Sequence, residues 1–104
     1  MSANPANPIA DGSDTPADPL LAWIGQIVVL DTQGPLIYIG TLIAATWAFV
    51  ELRDVDVHDT NDARATKDLY LTETRHLGVR VNRAKVIVHR AQVISASLLA
   101  DIHA

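Results

Sequence analysis

The sequence predicts a small, mostly β domain in which one short helix precedes five strongly curved strands. Residues 36–52 are rich in β-branched side chains and carry a single charge, a composition that favours strands. Apolar and polar residues alternate over 50–53, as they do in a half-buried strand. Gly34 and Pro35 supply turn chemistry just before this region. With 104 residues, the chain suits one domain.

The two ends of the chain are expected to lie outside the folded domain. Residues 1–17 consist mainly of Pro, Ala, Asn, Asp and Ser and should form a disordered tail, because they bury too little apolar surface to offset their ordering entropy. The domain should span 18–99, followed by a C-terminal tail over 100–104. Asp18 and Pro19 are typical of a helix start, where Asp caps N–H groups and Pro fits the first turn. The apolar residues of that short helix are Leu20, Leu21, Trp23 and Ile24.

Five strands are predicted from apolar runs bounded by turn residues. Gly40 lies inside the second strand, where the absent side chain permits the bend that closes a small barrel. The alternation in the third strand changes phase near Arg53 and Asp54, which predicts a β-bulge or a sharp bend. Residues 59–67 should form a loop and 69–74 a short extension of the sheet. The strands are expected over 26–31, 36–45, 47–58, 79–89 and 93–98.

A single transmembrane helix over residues 35–50 is the weaker alternative. These sixteen uncharged residues would cover roughly 24 Å as a helix, short of the roughly 30 Å hydrocarbon core of a bilayer. The flanking residues are mostly acidic, so the usual cationic anchor is missing. We therefore expect strands here and no membrane partner.

The net charge of −4 hides an asymmetry between the two halves of the chain. Residues 1–62 carry nine acids and one base, whereas residues 63–104 carry three acids and seven bases. A folded domain with this split can present a cationic surface to a polyanion, although a solvated surface of mixed charge is the commoner outcome. The basic residues of the second half are Arg64, Lys67, Arg75, Arg80, Arg83, Lys85 and Arg90.

Two segments carry the spacing of a known family. In the first, an apolar run over 27–30 and a turn precede a Gly and a Leu at fixed distances from both flanking strands. The second, over 86–94, contains a strand, a tight basic turn and a final strand. Together they resemble the two motifs of Sm and Sm-like (LSm) proteins, the group that includes Hfq, in a divergent, bacterial-type form. The residues of the first motif are Tyr38, Gly40, Leu42, Phe49 and Leu52.

The resemblance implies an Sm-like, SH3-type barrel of five bent antiparallel strands with a short N-terminal helix. It also implies a homo-oligomeric ring, a hexamer or heptamer. A cytoplasmic location is the default expectation on separate grounds, because a chain without Cys requires no oxidising compartment. In such rings the fourth strand of one copy pairs with the fifth strand of the next, since identical neighbours can satisfy each other's open edges.

The same resemblance gives a mixed prediction for RNA. Family members that bind uridine-rich RNA place a stacking side chain and an Asn in the turn between the second and third strands, with an Arg from the second motif beneath. The alignment puts Ala48 and Val50 at the first two positions, which removes the stacking face and the amide. Contacts with phosphates remain available. The candidate RNA-binding residues are therefore His89, Arg90, Arg80, Arg83 and Lys85.

Two functions stay open after these observations. One is a ring-forming module that binds RNA, rather than DNA, through its basic second half. The other is a protein-interaction scaffold of the same fold that uses strand edges or the acidic stretch 54–62 and binds no RNA. The missing pore residues favour the scaffold, and the cationic cluster favours RNA.

Catalysis, cofactors and metals are not expected. The chain has no Cys, and Ser95 and Ser97 lack a Gly-flanked nucleophile turn. Trp23 and Trp47 are expected to be core residues, with exposed stacking platforms as the less favoured alternative. Oxygen and nitrogen donors cluster near the end of the third strand, but their spacing is not that of a calcium loop and favours a solvated acidic face. These donors are Asp54, Asp56, His58, Asp59 and Asp62.

Overall fold

A computed structural model describes residues 17–62 and 66–103. Almost all of the predicted N-terminal tail and Arg64 lie outside these residues. The strands are β1 (Ile27–Thr32), β2 (Leu36–Ala45), β3 (Phe49–Asp59), β4 (Arg83–His89) and β5 (Val93–Leu98), the α-helix is α1 (Lys67–Leu77), and 3₁₀ helices cover Pro19–Trp23, Arg90–Gln92 and Leu99–Asp101.

The five strands form one antiparallel sheet in the order β4-β3-β2-β1-β5. Within the described residues, β4 and β5 are its two edges, each paired with one neighbour. The predicted bounds of β2 and β5 are confirmed, and the short N-terminal helix begins after Asp18 as expected. The structure thus confirms the predicted mostly β fold, a bent, open five-stranded sheet with little helix.

A β-bulge divides β3 into two halves. Asp54 has a φ of 53°, in the left-handed region that few non-glycine residues enter. The register between β2 and β3 shifts by one residue at this point, so Leu52 and Val55 face the same core. Gly40 packs opposite the bulge, where an added Cβ would lie 3.0 Å from Cγ2 of Val55 and 3.1 Å from the carbonyl oxygen of Arg53. The predicted change of phase and the predicted need for glycine are both confirmed.

Both faces of β1 and β2 are buried, which explains why the apolar run over 27–30 does not alternate. One face of the sheet carries a first cluster, and α1 with the C-terminal 3₁₀ helix contributes to a second cluster on the other face. Ile102, from the expected C-terminal tail, packs against the second cluster. The first cluster contains Leu20, Val28, Leu30, Leu42, Val50, Leu52, Val55 and Val88, and the second contains Val29, Ile37, Ile39, Leu71 and Leu99.

Helix α1 corrects the expectation of a sheet extension over 69–74. Thr66 caps its start by accepting a hydrogen bond from the N–H of Leu69 at 3.2 Å. Gly78 ends it with a φ of 91° and an N–H bond of 2.8 Å to the carbonyl of Thr74. The buried residues Leu71 and Thr74 are three positions apart, which places them on one face of a helix. The alternation of Leu69 and Leu71, which suggested a strand, therefore did not decide the structure.

Strand β4 begins at Arg83, not at residue 79 as the sequence predicted. Asn82 precedes it and donates its backbone N–H to the carbonyl of Val55 at 2.9 Å. The Asn82 side chain then accepts from the N–H of Val57 at 2.9 Å and donates to its carbonyl at 3.0 Å. Because the Asn82 side chain bonds the backbone N–H and carbonyl of Val57, regular pairing between β3 and β4 begins only at the next residue, Arg83.

The segment 35–50 contains β2, a turn and the start of β3, so the alternative of a membrane-spanning helix there is wrong. In the described part of the chain, every helix falls short of the length and apolar character needed to cross a bilayer.

Candidate nucleic-acid interface

The β2–β3 turn and the β4–β5 turn lie against each other at one end of the sheet. Thr46 shapes the first turn: its N–H donates to the carbonyl of Phe49 at 2.8 Å, and its hydroxyl accepts from the N–H groups of Ala48 and Phe49, both at 3.1 Å. The N–H of Arg90, at the start of the second turn, donates to the carbonyl of Ala48 at 2.9 Å. These bonds fix the two turns relative to each other.

The Arg90 side chain ties this pair of turns to the N-terminal helix. Its Nη1 and Nη2 donate to the two carboxylate oxygens of Asp18 at 2.7 and 2.9 Å, and Nη1 also donates to the carbonyl of Thr46 at 2.8 Å. Asp18 is buried, with 8% of its surface exposed, and also accepts from the N–H of Leu20 at 3.0 Å. One guanidinium therefore joins three segments that are distant in sequence.

The pairing of Arg90 and Asp18 keeps both groups charged. The hydrogen bonds from Arg90 are the main cause that lowers the pKa of Asp18, and they outweigh the opposing effect of burial. Asp18 in turn raises the pKa of Arg90, again chiefly through these hydrogen bonds. Three of the five N–H groups of the Arg90 guanidinium are engaged in this way, which reduces its capacity to bind a phosphate group.

Trp47 lies at the tip of the β2–β3 turn, and the expectation that it belongs to the core is wrong. It is 60% exposed, with the Arg90 guanidinium carbon 5.0 Å from its ring centroid. Trp23, in contrast, packs against the first core cluster.

Two more ring-bearing residues lie next to this turn. Phe49 and His89 are direct cross-strand partners on the outer face of β3 and β4, and both are exposed. The sequence alignment had placed the stacking position at Ala48 and found it empty. In the structure the neighbouring Trp47 supplies the exposed ring, because the turn and the burial of Val50 set which residues point outward.

The structure brings together only two of the five predicted RNA-binding residues, His89 and Arg90. Arg83 lies six positions before His89 on β4, roughly 20 Å away at about 3.3 Å per residue. Lys85 is exposed on the same strand, 3.6 Å from Glu51. Arg80 lies before β4, in the wall of a cavity beside α1. Only Arg83, Lys85 and His89 lie on β4 itself, so the five residues do not form a single pocket.

Comparison with known proteins agrees with this architecture. No protein-family model and no curated protein matches the chain. Among solved structures, it is similar to the Sm protein of Pyrococcus abyssii determined in complex with a uridine heptamer, with a TM-score of 0.54, 15% identity, and coverage of 79% of this chain and 99% of that chain. A chain from a crystal structure of the NatC complex bound to CoA gives a TM-score of 0.51 at 17% identity, covering 79% and 86%.

These likenesses define the fold: the chain has an Sm-like fold, as its motif spacing predicted. Identities of 15% and 17% define no more than that.

Proposed function

We propose that this Sm-like domain binds single-stranded RNA at the surface formed by Trp47, Phe49 and His89. The observation that carries the proposal is the large exposed indole of Trp47, held in place by a rigid turn and by Arg90. An exposed ring of this kind provides a stacking platform for an unpaired base. The Sm protein similar in fold was determined with a uridine heptamer, which supports RNA as the ligand.

In this proposal Arg90 positions Trp47 and leaves phosphate contacts to other residues. Its donors are directed at Asp18 and Thr46, so its remaining contribution is the cation beneath the indole ring. Arg83 and Lys85 lie exposed along the edge strand β4 and suit a passing phosphate backbone. Recognition would then combine stacking at the turn with sequence-tolerant contacts along the edge.

A binding titration of Trp47→Ala against oligo-U, oligo-A and mixed RNA tests the proposal. Because base–aromatic stacking contributes about 1–3 kcal/mol per base, we expect affinity to fall roughly tenfold or more. Leu77→Ala is the matched control, since Leu77 is also a large exposed apolar residue but lies on α1, away from the turn. Equal affinities for the two variants, or no RNA binding by the parent chain at low salt, would contradict the proposal.

The salt dependence of binding tests the contribution of β4. Replacing Arg83 and Lys85 by Gln should reduce the slope of log affinity against log salt by about one for each phosphate that is no longer neutralised. Arg75→Gln on α1 is the control and should leave the slope unchanged. An unchanged slope in the β4 variant would remove Arg83 and Lys85 from the interface.

We also propose self-association through the two sheet edges, as the Sm-like fold implies. β4 and β5 expose Ile87 and Ile94, apolar residues that an antiparallel neighbour would cover. Light scattering on the purified chain gives the subunit number, and Ile94→Lys should shift it towards the monomer. A parent chain that is monomeric at high concentration would contradict the proposal.

The same edges support a second function, that of a protein-interaction scaffold without RNA. One structure of similar fold is a chain of the NatC complex, which supports a role within protein assemblies. An intact oligomer that binds none of the three RNA probes at low salt would favour the scaffold over the RNA-binding module.

A further inference from the structure

A cavity lies at the opposite end of β3, between α1 and the segment that leads into β4. Its volume is about 680 Å³. Neither the turn surface around Trp47 nor the strand edges contribute to it. The cavity is thus independent of the proposed RNA surface.

A network of partly buried hydrogen bonds joins several residues that line this cavity. The phenol of Tyr70 donates to one carboxylate oxygen of Asp56, and Nδ2 of Asn82 donates to the other at 3.1 Å. The ring of His58 stacks on that of Tyr70, with 3.7 Å between centroids and 10° between planes. Nε2 of His58 is buried and has no hydrogen-bond partner among the described residues.

The bulge at Asp54 is the reason why Asp56 and His58 face this cavity. Beyond the bulge, Val55 and Val57 turn towards the first core cluster, so the even-numbered residues turn towards α1. Without the extra residue, Asp56 and His58 would point into an apolar core. The bend of the sheet and the chemistry of the cavity therefore have one cause.

The cavity is strongly anionic and has an apolar rim. Its charged lining residues are four carboxylates and one guanidinium, a formal net charge of −3. Leu77, which is 82% exposed, and Val81 lie beside these charges. A ligand that fits this combination carries a cationic head and an apolar stem. The charged residues are Asp56, Asp59, Asp62, Glu73 and Arg80.

We propose that the cavity binds an alkyl guanidinium or alkyl ammonium group. The cationic head lies among the carboxylates, and the alkyl stem covers Leu77 and Val81. A small turn of the His58 ring would let Nε2 accept from an N–H group of the head. A free organic cation and the side chain of an Arg or Lys in another protein share this chemistry.

Titration of the full chain, followed by NMR of the histidine ring signals, tests the proposal. The probes are agmatine, as a free cation, and a capped Ala-Arg-Ala tripeptide, as a side chain within a protein. We expect saturable shifts of the His58 signals and none for His76, which lies on α1 outside the cavity. The probe that binds more tightly shows whether the natural ligand is a free organic cation or the side chain of another protein.

Two variants make the test specific. The double variant Asp62→Asn and Glu73→Gln removes two exposed carboxylates from the rim, and we expect affinity to fall about five- to tenfold. Asp68→Asn removes a carboxylate from α1 outside the cavity and should leave affinity unchanged. Two results would overturn the proposal: no shift of His58 with either probe, or equal weakening in both variants. A response of His58 to inorganic phosphate would also overturn it, by assigning the site to Arg80 and an anion.

Discussion

Asp18 and Asp56 are both buried, yet their surroundings differ in a way that distinguishes the two ends of the sheet. At the turn end, a guanidinium pairs with both oxygens of Asp18 and compensates its charge. At the cavity end, a phenol and an amide solvate Asp56 without compensating it. Because Arg90 neutralises the charge of Asp18, the surface at the turn end is mainly aromatic. The charge of Asp56 has no cationic partner among the described residues and adds to the anionic character of the cavity.

Tyr70 completes the contrast. Burial, together with the hydrogen bond to Asp56, raises the pKa of this phenol well above its usual range. The hydroxyl is therefore protonated at any physiological pH and always available to Asp56 as a donor. The cavity end depends on a neutral donor, and the turn end depends on an ion pair.

The largest effect on this comparison should come from Arg90→Ala. The substitution removes the cation that pairs with the buried Asp18 carboxylate, which within the described residues keeps only the N–H of Leu20 as a donor. We expect the free energy of unfolding to fall by roughly 3 kcal/mol. Urea denaturation measures the loss. Arg90→Lys should recover only part of it, because an ammonium group cannot bond both carboxylate oxygens in the same way. A loss below about 1 kcal/mol, the range of a surface pair, would mean that Asp18 does not need the ion pair.

A smaller effect is expected at the cavity end from Tyr70→Phe. The ring and its stack on His58 remain, and one hydrogen bond to a charged acceptor is removed, which should cost about 1.5–2 kcal/mol in the same denaturation experiment. Tyr38→Phe is the control, since no described hydrogen bond involves its hydroxyl. Equal stability of the two variants would indicate that the Tyr70 hydroxyl contributes nothing.

The pH dependence of stability should separate the two ends further. The pKa of Asp18 is lowered by folding, so its contribution is complete above the unfolded value of about 3.9 and is lost as pH falls through the folded value. The pKa of Tyr70 is raised, so its contribution is complete below the unfolded value of about 10 and declines as pH rises beyond it. Denaturation curves of Asp18→Asn should lose part of the acid dependence, and those of Tyr70→Phe part of the alkaline dependence. The opposite assignment would contradict the comparison.

The smallest effect on stability is expected from Trp47→Ala. The indole is mostly exposed and buries little apolar area, so the loss should stay within about 0.5 kcal/mol, as at other surface positions. If the stability of Trp47→Ala is nearly unchanged, any loss of RNA affinity in the titration can be assigned to the missing ring and not to unfolding. A much larger loss would make Trp47 a structural residue.

Strands whose pattern is local were predicted well from the sequence. The bounds of β2 and β5 depend on apolar runs between turn residues, and the bulge at Asp54 is visible as a change of phase. Helix α1 was missed although Thr66 and Gly78 mark its ends, because Leu69 and Leu71 alternate as in a strand. Over so short a segment, only packing against the sheet decides between the two periods.

The predicted RNA-binding residues remain a prediction, and the structure changes their expected arrangement. Arg90 was selected for its charge, and its partner Asp18 lies 72 residues earlier in the chain. The exposed ring was sought at Ala48 and found at Trp47, because side-chain direction in a three-residue turn depends on its hydrogen bonds. Residues of α1 form one wall of the cavity. Because the sequence did not predict α1, it could not predict the cavity either.

By itself, the sequence determined the bent five-stranded sheet, because apolar periodicity, turn residues and a single close-packed glycine act locally. Only the tertiary structure decided which charges are paired. Arg90 meets Asp18, and Asp56 meets Tyr70 and Asn82, through contacts between segments that are far apart in the chain. Electrostatic pairing depends on distance in space and on burial, and neither can be read from positions along the chain.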